Sequence, residues 1–167
     1  DEIILAYIKK YGLDSFIDEE KQQEYRELLI KEAPADRPVI SLSPSSFDFG
    51  DVSQKEGVAA TLFIVKNEGE KDLVIDRLET SCGCTSASIV FQGEEGPTFN
   101  MPGHDINEQI EGWQVVIAPG DEAQLKVYYD PDVHEDFRGP AIRTISIFSN
   151  DSLDFEKKVT VELNQVD

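Results

Sequence analysis

The chain has 167 residues, 40% of them hydrophobic, which is enough for the core of one ordinary domain with a short appendage and too apolar for a disordered chain. Its 34 acidic residues against 15 basic ones give a formal net charge of −19. That balance argues against nucleic acid or an anionic membrane as partner, because phosphate binding needs clustered Lys and Arg.

Cations or basic surfaces suit such a chain, and solubility alone is the plainest use of the charge. Residues 1–38 hold ten acids and six bases, so most of the acidity belongs to the rest of the chain. No stretch approaches the roughly 18 consecutive apolar residues of a membrane span. The first residue is Asp1, with no basic and apolar leader ahead of it, which fits a mature exported chain and equally a chain whose front has been trimmed.

Residues 1–33 read as two helices. Ile4, Tyr7, Ile8 and Tyr11 recur at spacings of three and four until Gly12 interrupts as a C-cap signal. Ser15 or Asp18 can cap a second helix, Glu19 and Glu20 place negative charge in its first turn, and Tyr25, Leu28 and Leu29 form a narrow apolar stripe. Pro34 and Pro38 mark a linker, so the expected organisation is a helical extension over 1–38 and a second unit over 39–167.

From Val39 onward the apolar period changes to two, starting with Ile40 and Leu42 and then Phe47, Phe49 and Val52. Further strand segments are expected at Ala59–Lys66, Leu73–Leu78, Ala87–Phe91, Trp113–Ile117, Ala123–Tyr129, Ile142–Ser149 and Phe155–Leu163. Turn clusters such as Asn67-Glu68-Gly69-Glu70, Pro119-Gly120-Asp121-Glu122 and Ser149-Asn150-Asp151-Ser152 separate them. Seven to eight short strands without intervening helices predict a mainly β protein: an immunoglobulin-like antiparallel β-sandwich with an N-terminal two-helix extension. The aromatics Phe47, Phe49, Phe63, Tyr129 and Phe148 sit at strand periodicity and are expected in the core, with Trp113 inside or at the sandwich edge. An inserted loop at 92–112 breaks the rhythm, and loops longer than about 12–15 residues are usually functional or disordered.

Several of these segments together resemble a known family. Phe47-Asp48-Phe49-Gly50-Asp51-Val52, Val65-Lys66-Asn67-Glu68-Gly69, Leu73-Val74-Ile75, Ser81-Cys82-Gly83-Cys84-Thr85, Ile117-Ala118-Pro119-Gly120 and Ile147-Phe148-Ser149-Asn150-Asp151 occur in the order found in a bacterial family of exported Ig-like domains of unknown function, domain of unknown function 1573. The resemblance covers about residues 45–163; the helical residues 1–38 and the loop 92–112 depart from it. It implies a β-sandwich, distantly similar to Ig-like domains of ciliary and centrosomal scaffolds, and a periplasmic, envelope-associated or extracellular setting. It implies no established reaction, so the site has to be argued from its own residues.

Cys82 and Cys84 are the two cysteines, with Gly83 between them, and three fates are open to them: a chelated soft metal, a local disulfide or reduced thiols. Thiolate and thioether donors select copper(I), zinc or iron–sulfur chemistry. Met101 and His104 place the next soft and borderline donors in the inserted loop, so Cys82, Cys84, Met101 and His104 form a candidate copper(I) set, with His134 as an alternative ligand. Zinc suits the set less, because it rarely takes Met. Against a metal stand an exported setting, which favours oxidation, and Cα atoms two residues apart, which a turn at Gly83 can bring within disulfide range.

Catalytic residues are not expected. Thiol–disulfide exchange lacks both the two-residue spacing and the helix N-terminus of thioredoxin-type motifs, and no hydrolase, Walker or dinucleotide fingerprint occurs. Asp130, Asp132 and Asp136, or Asp151 and Asp154, lack the spacing of a calcium loop and read as turn formers. The sequence therefore predicts a non-enzymatic interaction module that pairs with another protein, or with itself, through its helices or strand edges. A copper(I)-handling protein and a thiol–disulfide redox protein are the alternatives.

Overall fold

The structure, a computed structural model, describes residues 2–103 and 110–167. Among the described residues, two α-helices precede ten strands. Helix α1 spans Glu2–Tyr11 and α2 spans Glu19–Glu32, with a single 3-10 turn at Leu13–Ser15 between them. Gly12, at φ 81°, ends α1 where the C-cap signal stood, and its N–H bonds the Ile8 carbonyl at 2.8 Å. Asp18 is the N-cap of α2, its Oδ1 accepting from the N–H groups of Glu20 at 2.9 Å and Lys21 at 3.3 Å.

The strands are β1 Ile40–Ser43, β2 Ser46–Val52, β3 Ala59–Asn67, β4 Leu73–Thr80, β5 Thr85–Phe91, β6 Glu94–Glu95, β7 Val115–Ile117, β8 Glu122–Tyr129, β9 Gly139–Ser149 and β10 Glu156–Gln165. They form an immunoglobulin-like sandwich of two five-stranded sheets, ordered β1-β3-β8-β5-β6 and β2-β10-β9-β4-β7. The expected count of seven to eight was low because β1 and β2 lie in opposite sheets and β6 is only two residues long. One pairing is not antiparallel: after leaving β1 the chain crosses to the other sheet, and β2 runs parallel to β10 along its edge.

Period two puts alternate residues of each strand between the sheets. Ala123, Leu125, Val127 and Tyr129 of β8 point inward, as do Val159, Val161 and Leu163 of β10. On β4 the buried set steps from Leu73 and Ile75 to Leu78 and Thr80, because a register shift between Ile75 and Arg77 inserts one residue. Phe63, Val65, Leu125 and Ile89 from one sheet share a single apolar cluster with Ile75, Leu78, Ile145, Ile147 and Val161 from the other. Burial of each such side chain is worth about 1.5–3 kcal/mol.

The aromatic expectations divide. Phe63 and Tyr129 are fully buried, whereas Phe47 is 37% exposed on the edge strand β2, its ring 5.2 Å from that of Phe49. Phe148 is half-buried beneath the Arg77 guanidinium, 3.9 Å from its ring centre. Trp113 precedes β7 and packs against the core with its ring 5.1 Å from that of Phe99.

The inserted loop is less free than its composition suggests. Residues 94–95 extend the sheet as β6, and Phe99, 4% exposed, exchanges two backbone hydrogen bonds with Ala87 of β5 at 2.8 and 2.9 Å. The extension is likewise attached. Tyr7, Phe16 and Tyr25 stack in series, with ring centres 5.2 and 4.8 Å apart, and fasten α1 to α2. Ile8 and Leu29 are buried, and the two helices border a groove whose other wall is Leu153–Lys158 at the β9–β10 turn; Lys158 Nζ lies 3.6 Å from Asp14 Oδ2.

Candidate functional site

Cys82 and Cys84 occupy the turn between β4 and β5, at one end of the sandwich. The turn is fixed from several sides. The Thr80 hydroxyl donates across it, 2.8 Å from the Thr85 carbonyl and 3.0 Å from that of Cys82. Ser81 extends pairing to β9, its N–H bonding the Thr144 carbonyl at 3.0 Å and its Oγ accepting the Thr144 N–H at 2.9 Å. Beneath lies a second, smaller apolar cluster of Val52, Cys84, Tyr129, Ala141 and Leu163, with Phe49, Cys82 and Phe137 against it.

Of the three fates open to the sulfurs, the structure shows the local disulfide, with Cα atoms 5.3 Å apart. The two sulfurs differ in surroundings. Cys84 is 2% exposed, and its Sγ lies 3.2 Å from Arg143 Nε, which donates to it, and 3.6 Å from Thr85 Oγ1. Cys82 is partly exposed; its Sγ accepts the Cys84 N–H at 3.3 Å and lies 3.2 Å from His134 Nε2. The ligand atoms of Cys82, Cys84 and His134 all fall within 4.8 Å of one another.

His134 reaches the sulfurs because the loop after β8 is clamped. Tyr129 Oη donates to Gln165 Oε1 at 2.6 Å, and Gln165 Nε2 donates onward to the carbonyls of Pro131 at 3.2 Å and His134 at 3.3 Å. Gln54 Nε2 adds bonds to the carbonyls of Pro131 at 3.3 Å and Glu135 at 3.1 Å. Burial pushes the Tyr129 phenol up, Arg143 opposes that shift and Asp130 adds to it, so the phenol stays a neutral donor in this chain of bonds.

The other expected donors fare differently. The loop carrying Met101 does return to the cysteine turn, where Asn100 Nδ2 donates to the Gly83 carbonyl at 3.1 Å, and the Met101 N–H bonds Asn100 Oδ1 at 2.6 Å. His104 lies outside the described residues. Arg143 escaped the sequence reading altogether: it sits mid-strand on β9, and nothing in its neighbourhood marks it as a sulfur contact. The acidic candidates for calcium engage the backbone: Asp130 Oδ1 accepts the Asp132 N–H at 3.0 Å, and the buried Asp151 accepts from Ile40 and Leu153, each at 3.0 Å.

Comparison with known proteins finds one family profile that is similar to part of the chain. The profile of a family described as protein of unknown function (DUF1573) matches residues 40–97, which run from β1 through β6 and contain both cysteines. The resemblance drawn from the sequence extends further, to about residue 163, than this match. No curated protein matches the chain.

Among solved structures, a protein of unknown function from Porphyromonas gingivalis W83 is similar at 19% identity and TM-score 0.56, over 80% of this chain and 50% of that one. A family 123 glycoside hydrolase from Clostridium perfringens aligns at 7% identity and TM-score 0.51, over 78% of this chain and 28% of that one. The seventh PapD-like (ASH) domain of human CEP192 aligns at 11% identity and TM-score 0.41, over 80% and 87%. The chain spans half the length of the first relative and less of the second, and the likeness to both is one of fold alone.

Proposed function

We propose that the protein is a non-enzymatic interaction module of an exported, envelope-associated or extracellular assembly, in which the helical extension docks onto another protein subunit. The observation that carries this reading is the placement of exposed apolar side chains. Ile3 is 84% exposed, Ile17 100% and Ile30 58%, all on the extension, beside Tyr7 and Tyr11 at 42% and 53%. Helices this short depend on packing for stability, and these two bury Ile8 and Leu29 while leaving the larger apolar set in water.

In the full chain, Ile3→Ser/Ile17→Ser/Ile30→Ser removes that surface without touching the core. The variant is expected to leave the assembly on size-exclusion chromatography of native extracts while keeping the native thermal midpoint. Co-elution at the native level would contradict the reading.

The convergence of Cys82, Cys84 and His134 favours a second reading, a soft-metal site that forms when the disulfide is reduced. Two thiolates and an imidazole suit copper(I), with Met101 or His104 as a further donor from the loop. Titration of the reduced protein with copper(I) against a competing chelator is expected to give one tightly bound ion, lost in Cys82→Ser/Cys84→Ser. Binding that survives the double substitution would contradict a site at these sulfurs.

A further inference from the structure

The surroundings of the two sulfurs bear on reactivity as well as on metal binding. Cys84 is buried with its Sγ against a guanidinium, whereas Cys82 is partly exposed. Next to them opens a shallow pocket lined by Val133, His134, Glu135, Asp136, Phe137 and Arg143. An arginine donating to a sulfur stabilises negative charge there, and a sulfur so stabilised is the better leaving group in thiol–disulfide exchange. Thioredoxin-type pairs obtain that charge from a helix N-terminus. Here the cysteines lie on a turn between strands, and Arg143 Nε, 3.2 Å from Cys84 Sγ, takes the same role from the neighbouring strand β9.

We infer that the Cys82–Cys84 disulfide is a thiol–disulfide exchange site for a dithiol of a partner protein, with Cys82 as the sulfur attacked and Cys84 as the leaving group. A thiolate of the incoming dithiol attacks Cys82 Sγ. A mixed disulfide forms as the Cys82–Cys84 bond breaks, and the electron pair departs on Cys84 Sγ, where the Arg143 N–H donates to it. The partner's second thiol, once deprotonated, attacks the partner sulfur of the mixed disulfide and releases Cys82 as thiolate.

The two protons of the partner dithiol end on Cys82 and Cys84. The partner is oxidised to a disulfide and this pair is reduced by two electrons, and the same steps run backward when the partner arrives oxidised. Glu135 and Asp136 on the pocket rim, on a chain of net charge −19, suit a partner whose reactive thiol lies in a basic surface. The exchange goes beyond the interaction reading and does not depend on the helical extension.

The experiment uses the full chain in its oxidised form with dithiothreitol as the probe dithiol, quenched by acid, alkylated and read by mass. Arg143→Gln is expected to slow reduction about tenfold, the loss of one charge-assisted hydrogen bond to the leaving sulfur, while Arg77→Gln reacts at the native rate. The site of attack is read without any arginine variant. Incubated with oxidised glutathione, Cys84→Ser is expected to accumulate an adduct on Cys82, and folded Cys82→Ser to accumulate at least tenfold less on Cys84. Reduction of Arg143→Gln at the native rate, or equal adducts on the two cysteines, would overturn the inference, and the adduct comparison decides the matter if Arg143→Gln does not fold.

Discussion

Asn67 shows how a residue that reads as a turn former can serve as an anchor. Its position in Asn67-Glu68-Gly69-Glu70 signals a turn, and the turn is present, but its side chain is fully buried. Nδ2 donates to the carbonyls of Lys71 at 2.7 Å and Ile117 at 2.9 Å, while Oδ1 accepts from Gly69 at 3.0 Å and Val39 at 3.4 Å. Four backbone groups from three parts of the chain thus meet on one amide. Asn67→Ala leaves them without that partner, and urea unfolding is expected to show a loss of about 3 kcal/mol. The sulfur site follows the same logic. Adjacent cysteines are legible because their closeness is covalent, whereas His134 lies 52 residues from Cys82 and Arg143 59 from Cys84, and only the packed sandwich brings them together. His134 was visible as a donor type; Arg143 carried no signal, because an inward-reaching arginine on a strand looks like any exposed one.

At the level of elements, hydrophobic period and turn residues place the strands closely, since alternation is a local property of a half-buried strand. Which sheet each strand joins is not local. The parallel pairing of β2 with β10 joins segments at opposite ends of the sandwich sequence, with Phe47 opposite Val161, and no pattern within β2 encodes it. The same limit explains Phe47, whose strand period is correct but whose strand lies at an edge, so its ring stays partly in water. The linker marked by Pro34 and Pro38 reads as a spacer, but it and the adjoining Val39 are held against the β3–β4 turn. Glu68 N–H bonds the Val39 carbonyl at 2.8 Å and Glu70 N–H that of Arg37 at 3.1 Å. Gly69 permits this approach: a Cβ there would strike the Arg37 carbonyl oxygen and stand 2.5 Å from Val39 N. The extension is therefore fixed at its root, Arg37–Val39, and borders the β9–β10 turn, which makes it a structured element and not a tether.

Across the whole molecule, the apolar residues divide into two populations. One fills the space between the sheets; the other is exposed, with Ile3, Ile17 and Ile30 on the extension and Val58, Leu62 and Ile142 on the sandwich. On the proposed reading, the extension contacts another protein. That contact is tested most directly by replacing Ile17, fully exposed between α1 and α2, with a photo-crosslinking amino acid and irradiating the protein in its native cells. One dominant crosslinked protein is expected, absent when the probe is moved to Ile142 on β9, which is 62% exposed. Crosslinking from Ile17 no stronger or more selective than from Ile142 would contradict that reading.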